Sequence, residues 1–268
     1  MLSLKSDQTA DVPYVDAIIR YSERAADGGT IFENGKYTFE MEDHPMRVYN
    51  ARLADISFEK NGFTLVRQKT DVDLTDQAAA MKFYYPEVQE LVKKLTGAKE
   101  VIAFMGILRG GEQNAGGGPA LSAHVDFTEY GLRSSLERFA PERAEAIKGK
   151  RLVNINVWRP LATVERSPLA VCDKSSVDRS DFLRINFGSA TQTGAVQEPA
   201  GFNCAYNPNH RWYYYPFMEP DEVLVFKLFD TGETNWKMTA HTAFDDPTSA
   251  PDAPPRISYE IRTVAVFD

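Results

Sequence analysis

The chain has 268 residues, enough for one large or two small domains, and its 43% hydrophobic and 25% charged residues mark a globular protein with a sizeable core. The formal net charge of −8 argues against nucleic acid or an anionic membrane as a partner. No apolar run approaches the roughly 20 residues that cross a bilayer, the N-terminus lacks a secretory h-region, and Cys172 and Cys204 form no CxxC pair, so a reduced, cytoplasmic setting is expected.

In chain order, KYTFEM (36–41) and ISFEKNGFTLVRQ (56–68) read as hairpin material, with Asn61-Gly62 as the turn. From Leu74 to Leu95 the apolar residues recur at helical steps, and Gly97 is a stop signal. VIAFMGILRG (101–110) reads as a buried strand. The glycine-rich GGEQNAGGGPA (110–120) that follows is a loop without the ending of a phosphate cradle. A second helical stretch covers about 130–148. After it come six strand-like runs, at 152–161, 168–173, 211–217, 222–230, 236–244 and 256–267, rich in β-branched and aromatic residues. The polar segment 175–201 reads as an insert over the mouth of a barrel. Early helices and late strands predict a mainly β fold with flanking helices, a cupin-like double-stranded β-helix or jelly roll. One domain is expected over 1–268, with helical and hairpin support to about 100 and the β-helix core beyond.

His124-Val125-Asp126 is an HxD triplet beside the glycine-rich loop. On a strand, residues i and i+2 share a face, so His124 and Asp126 converge on one point. Taken alone, the triplet fits equally a hydrogen-bonded core histidine and an aspartate capping the next helix. His241, far downstream in another strand, changes that balance. Two imidazoles and a carboxylate on one face of an octahedron leave three positions open, the facial triad of non-haem Fe(II) oxygenases. Beyond His241 comes Arg256-Ile257-Ser258. Arg256 and Ser258 share a strand face, and a hairpin through 245–255 brings that face beside the triad. A buried guanidinium with a neighbouring hydroxyl suits the far carboxylate of a dicarboxylic acid.

With these residues goes a wider similarity. From about Tyr84 to Phe267 the chain resembles the 2-oxoglutarate oxygenases grouped with fungal gibberellin desaturases and the cephamycin methoxylation protein. The segments that carry it include AHVDFTE (123–129), NVWRPL (156–161), RWYYYPFMEPDEVLVFKLFD (211–230), HTAFDDP (241–247) and PRISYEIRTVAVF (255–267). The resemblance implies Fe(II), 2-oxoglutarate and O2, and oxidation of an unactivated C–H bond in a small-molecule substrate, often in secondary metabolism. It assigns His124, Asp126 and His241 to the metal and Arg256 to 2-oxoglutarate. It leaves hydroxylation and desaturation both open, and oligomeric state unread.

Other residues compete for roles. Asn156 and Trp158 share one face of their strand and Arg159 takes the other, so Asn156 or Arg159 is a candidate to bind cosubstrate or substrate. Arg262 lies on the face of Arg256, Ser258 and Glu260. It is a rival anchor for 2-oxoglutarate or a partner of Glu260. His44 and His210 read as surface residues. The rival reading of the whole chain is a cupin-type metal dioxygenase or isomerase that needs no 2-oxoglutarate.

Overall fold

The computed structural model describes residues 9, 11–24, 29–32, 36–110, 118–188 and 200–268. The strands in chain order are β1 (Tyr14–Ser22), β2 (Thr30–Phe32), β3 (Met41–Asn50), β4 (Phe63–Arg67), β5 (Glu100–Arg109), β6 (His124–Val125), β7 (Arg151–Pro160), β8 (Leu169–Cys172), β9 (Phe182–Gly188), β10 (Gly201–Cys204), β11 (Trp212–Tyr214), β12 (Glu222–Asp230), β13 (His241–Ala243) and β14 (Ser258–Phe267). The helices are α1 (Phe58–Asn61), α2 (Gln77–Ala79), α3 (Tyr85–Thr96), α4 (Glu129–Phe139) and α5 (Pro141–Ala146). One sheet runs β1-β3-β11-β8-β13-β6-β10-β9-β2 and the other β4-β12-β7-β14-β5. Their inner faces meet in one core, where Val171, Phe202 and Trp212 of the first sheet join Phe63, Trp158 and Phe226 of the second. The result is a double-stranded β-helix, the jelly roll that the strand pattern predicts.

Alternation along the central strands β7 and β14 explains how the second sheet serves two environments. Val153, Ile155 and Val157 of β7, with Tyr259 and Ile261 of β14, pack outward against Val88 and Val92 of α3. The residues between them, Asn156 and Trp158 on β7 and Ser258, Glu260 and Arg262 on β14, therefore point into the barrel. A one-residue slip would exchange the two sets and put charges under α3. Helix α3 ends where Gly97 takes a left-handed φ of 69° and returns its N–H to Lys93. A third apolar cluster, including Leu132 and Leu136 of α4, closes one end of the barrel against Val264 and Val266.

Several local expectations change. Asn61-Gly62 is not a hairpin turn. The Ser57 hydroxyl caps the N–H of Lys60, Asn61 folds back to the Ser57 N–H, and Gly62 at φ 89° ends the single turn of α1. Local side-chain capping thus outcompetes strand pairing, and only Phe63–Arg67 extends as β4. KYTFEM contributes mainly an isolated bridge between Tyr37 and Ile31, and the long strand begins at Met41. The 130–148 stretch divides at Ala140, before Pro141, into α4 and α5. The 175–201 segment is no simple insert: Phe182–Gly188 forms β9 and pairs with β10. Residues 189–199, and 111–117 of the glycine-rich loop, lie outside the described residues.

Candidate active site

β6 and β13 are neighbours, and His124 stands directly opposite His241 in their antiparallel register. Their ring centroids are 4.3 Å apart. Asp126 follows just after β6, and its carboxylate reaches back between them: Oδ1 is 3.8 Å from His124 Nε2 and Oδ2 is 3.7 Å from His241 Nε2. All three ligating atoms lie within 4.8 Å of one another. The helix-capping role open to Asp126 falls instead to Thr128, whose hydroxyl accepts from the Gly131 N–H.

The chemistry of this donor set fits a divalent ion. Bonds of about 2.1 Å to one centre need donors roughly at such spacings. His124 Nδ1 donates to the Ser122 carbonyl at 2.7 Å, which orients the ring with Nε2 toward Asp126. His241 is buried, and burial with the neighbouring His124 lowers it to about 3 despite the opposing pull of Asp126, so its imidazole is neutral. Burial pushes the Asp126 carboxyl up, but Arg262, the two imidazoles and Asn156 outweigh it and hold the group well below the usual carboxylate range. Two imidazole nitrogens and one carboxylate thereby converge on one point. Among the described residues no further His, Cys, Asp or Glu joins this cluster, which leaves it open on one side.

Arg256 lines the same cavity as His124, Asp126 and His241, together with Arg109, Trp158 and Glu260. The residue is 6% exposed. Its guanidinium lies 5.2 Å above the Trp158 ring and donates through Nη1 to the Ser167 carbonyl at 2.7 Å. Among the described residues, its Nε and the Oγ of Ser258 are both buried without a hydrogen-bond partner. Such groups cost free energy when left unpaired, so a nearby acceptor is favoured. Burial and the Arg109 charge lower Arg256 to about 10, with Glu260 opposing, which keeps it cationic at neutral pH. Gly110 serves this corner: at φ 78°, a Cβ there would stand 2.2 Å from the Arg256 carbonyl.

Not every sequence candidate belongs to the cavity. Arg159 points to the opposite face of β7, as alternation requires. Buried there, it donates to the Tyr84 hydroxyl at 2.7 Å and to the backbone carbonyls of Gln68 and Pro220. Asn156 does face inward, and donates to Asp126 Oδ2 at 2.7 Å. Arg262 contacts Asp126 and Glu260: Nη2 donates to Asp126 Oδ1 at 2.7 Å, and Nε lies 3.4 Å from Glu260. His210 is fully buried, with Nε2 3.1 Å from Asp181 Oδ2, so the surface reading is corrected. His44 is partly buried and stacks on Tyr206 at 3.7 Å. Glu260, Arg109 and Trp158 line the cavity without a sequence motif that assigns them to it. The inward alternation of β14 and β7 could have flagged Glu260 and Trp158.

Comparison with known proteins gives a consistent picture. Residues 19–267 match a family described as "Oxidoreductase/YMDC permease-like domain". Among the described residues no helix is long and apolar enough to cross a membrane. The chain is 30% identical to the hydroxylase/desaturase efuI of Hormonema carpetanum, over 96% of each chain. It is 29% identical to the alpha-ketoglutarate-dependent dioxygenase phiK of a fungal species, covering 96% of this chain and 98% of that one. A solved structure of a variant of the iron and alpha-ketoglutarate-dependent endoperoxidase NvfI superposes with a TM-score of 0.84 at 26% identity, covering 95% of this chain and 99% of that one.

Proposed function

The chain belongs to the Fe(II)/2-oxoglutarate-dependent hydroxylase and desaturase family, and on that premise we propose that His124, Asp126 and His241 hold its iron while Arg256, with Ser258, holds the far carboxylate of 2-oxoglutarate. The enzyme is a dioxygenase that uses Fe(II), 2-oxoglutarate and O2. We propose further that it hydroxylates or desaturates an unactivated C–H bond of a small molecule in secondary metabolism, as the names of its relatives suggest. The observation that carries the site assignment is a buried guanidinium with an unpaired Nε in the cavity that also holds the three ligand side chains.

An iron ion held by His124, Asp126 and His241 would supply, together with 2-oxoglutarate and O2, the oxidising power for C–H cleavage, 2-oxoglutarate being converted to succinate and CO2. The protein's own contributions are of three kinds. His124 and His241 would offer imidazole nitrogens to the ion, and Asp126 would supply the single negative charge. Arg256 gives a planar fork for a carboxylate, held flat on Trp158. Phe226, with its centroid 4.8 Å from the His241 ring, and buried Trp158 wall this side of the site from water. The two free, buried cysteines support a cytoplasmic setting, and the continuous core shared by both sheets supports a single domain over 1–268. The rival 2-oxoglutarate-independent reading leaves the Nε of Arg256 without an acceptor among the described residues.

The test is succinate release. Iron-loaded protein offered 2-oxoglutarate and a small-molecule library should release succinate above the substrate-free level with a subset of compounds, and His241→Ala should release none. Substrate oxidation that proceeds at full rate without 2-oxoglutarate would establish the rival.

A further inference from the structure

Asp126 sits where the backbone alone does not fix it. β6 ends at Val125, so no sheet ladder holds the residue that follows. An aspartate side chain turns about two bonds, and either oxygen, or both, can meet an ion. Yet both oxygens are already held. Asn156 Nδ2 donates to Oδ2 at 2.7 Å, and Arg262 Nη2 donates to Oδ1 at 2.7 Å.

The two donors come from a rigid source. Asn156 and Arg262 are direct cross-strand partners in the β7–β14 ladder, the inner strands of the five-stranded sheet. Asn156 is fully buried. Arg262 is braced on three sides, by Glu260 at 3.4 Å, by Met105 Sδ at 3.2 Å and by the Phe127 ring at 5.1 Å. With one donor on each oxygen, the carboxylate plane is fixed. Its remaining lone pairs are shared between the His124 and His241 sides.

We propose that Asn156 and Arg262 are a two-armed clamp of positioning residues, which sets Asp126 for the metal before the ion arrives and prevents both its oxygens from closing on the ion together. The open positions then stay available to 2-oxoglutarate and O2. This role replaces cosubstrate binding for both residues. It rests on the assignment of His124, Asp126 and His241 as the metal ligands.

The experiment titrates Co(II) into metal-free wild-type protein and into His241→Ala, Asn156→Ala, Arg262→Met and Arg262→Lys. Affinity and the visible d–d spectrum are both read, and 2-oxoglutarate affinity is then measured at saturating Co(II). Asn156→Ala and Arg262→Met should each bind Co(II) about 10- to 100-fold more weakly, the range for lost outer partners of a metal ligand. Their d–d bands should shift as the released oxygen joins the ion. Arg262→Lys keeps a charged donor and should recover most of the affinity. Their 2-oxoglutarate affinity should fall, but by less than their Co(II) affinity, because the released oxygen competes for a position while the carboxylate anchor is intact. Asn156→Ala changes no charge and makes the same comparison on its own if Arg262→Met does not fold. Wild-type Co(II) affinity and spectrum in folded Asn156→Ala would overturn the clamp, as would a 2-oxoglutarate loss as large as the metal loss. The control separates the two claims. If His241→Ala binds Co(II) like wild type, the ligand assignment itself has failed; if it loses Co(II) while the clamp variants do not, only the clamp has.

Discussion

Arg262 lies on β14 and Arg256 just before it, and the two face different electrostatic surroundings. Arg262 lies against Asp126 and Glu260, and these two carboxylates outweigh burial and raise it above its ordinary value. Arg256 has only Glu260 in opposition to burial and Arg109, and is lowered. A cation already matched by two carboxylates gains little from a new anion, whereas a buried one opposed by a single carboxylate gains much. Arg256→Ala should therefore weaken 2-oxoglutarate binding by about a hundredfold or more, near 2.7 kcal/mol, as read by titration into the Co(II) protein. Arg256→Lys should recover part of this, because a point charge replaces the planar fork. At the other end of the cavity, His124→Ala, Asp126→Ala and His241→Ala should each lose Fe(II) while keeping the wild-type far-ultraviolet circular dichroism. Full metal binding by any one of them removes that residue from the ligand set.

At the scale of elements, buried polar contacts tie the loops to the sheets. Trp212 Nε1 donates to the Tyr21 hydroxyl at 2.6 Å, which lies 3.3 Å from His210 Nδ1, and His210 Nε2 faces Asp181. Asp181 also accepts from the Asp178 N–H, Asn207 and Arg24. Burial pushes the Asp181 carboxyl up, but these donors, His210 first, outweigh it and bring the group to about 2. A carboxyl depressed in the folded state adds stability above its unfolded value of about 3.9 and loses it as pH falls through the folded one. The melting temperature should thus fall between pH 4 and pH 2. Asp181→Asn should melt lower at neutral pH and show a shallower fall over that window; an unchanged slope would mean that Asp181 does not contribute to it.

The element scale also separates what the residues announce from what they conceal. The helix at 74–97 and the strands around Val101, Val153, Val225 and Val264 are legible because long apolar patterns bury whole faces, an effect that local chemistry rarely reverses. His124, Asp126, His241 and Arg256 are legible as candidates through residue type and spacing, although Asp126 lies past the end of β6 and Arg256 before the start of β14. The turn at Asn61-Gly62 misleads because Ser57 and Asn61 satisfy backbone groups locally, a competition that no hydrophobic pattern records. His210 misleads because its partner Asp181 is distant in sequence, and the neighbouring residues are polar. Arg262 stays ambiguous for the same reason: its partner Asp126 comes from another strand's end. Close approaches are equally hidden. A Cβ at Gly201 would stand 2.8 Å from the Asp126 carbonyl, so Gly201→Val should be destabilised by about 1–3 kcal/mol in chemical denaturation and bind metal more weakly. Wild-type stability there would show that the approach relaxes freely.

For the whole molecule, the shared core of the two sheets joins the metal side to the cosubstrate side. His124 and His241 come from the nine-stranded sheet, whereas Asn156, Glu260 and Arg262 belong to the five-stranded one, with Arg256 just before β14. Ligands bound between the sheets must then stabilise the fold as a unit. Metal and 2-oxoglutarate each at about 100 times their dissociation constants should add about 2.7 kcal/mol apiece to one cooperative unfolding transition. Two transitions, of which only one responds, would divide the chain into independent units.

The central claim is that the buried Arg256 and the His124–Asp126–His241 cluster form one site. Anaerobic titration of 2-oxoglutarate into the Fe(II)-loaded protein, followed by the visible charge-transfer band of the chelate, tests it most directly. The account predicts a saturable band in wild type, no band in His241→Ala, and in Arg256→Ala the same band reached only at about a hundredfold higher 2-oxoglutarate. A wild-type titration curve in Arg256→Ala, with the loss appearing in Arg262→Ala instead, would contradict it.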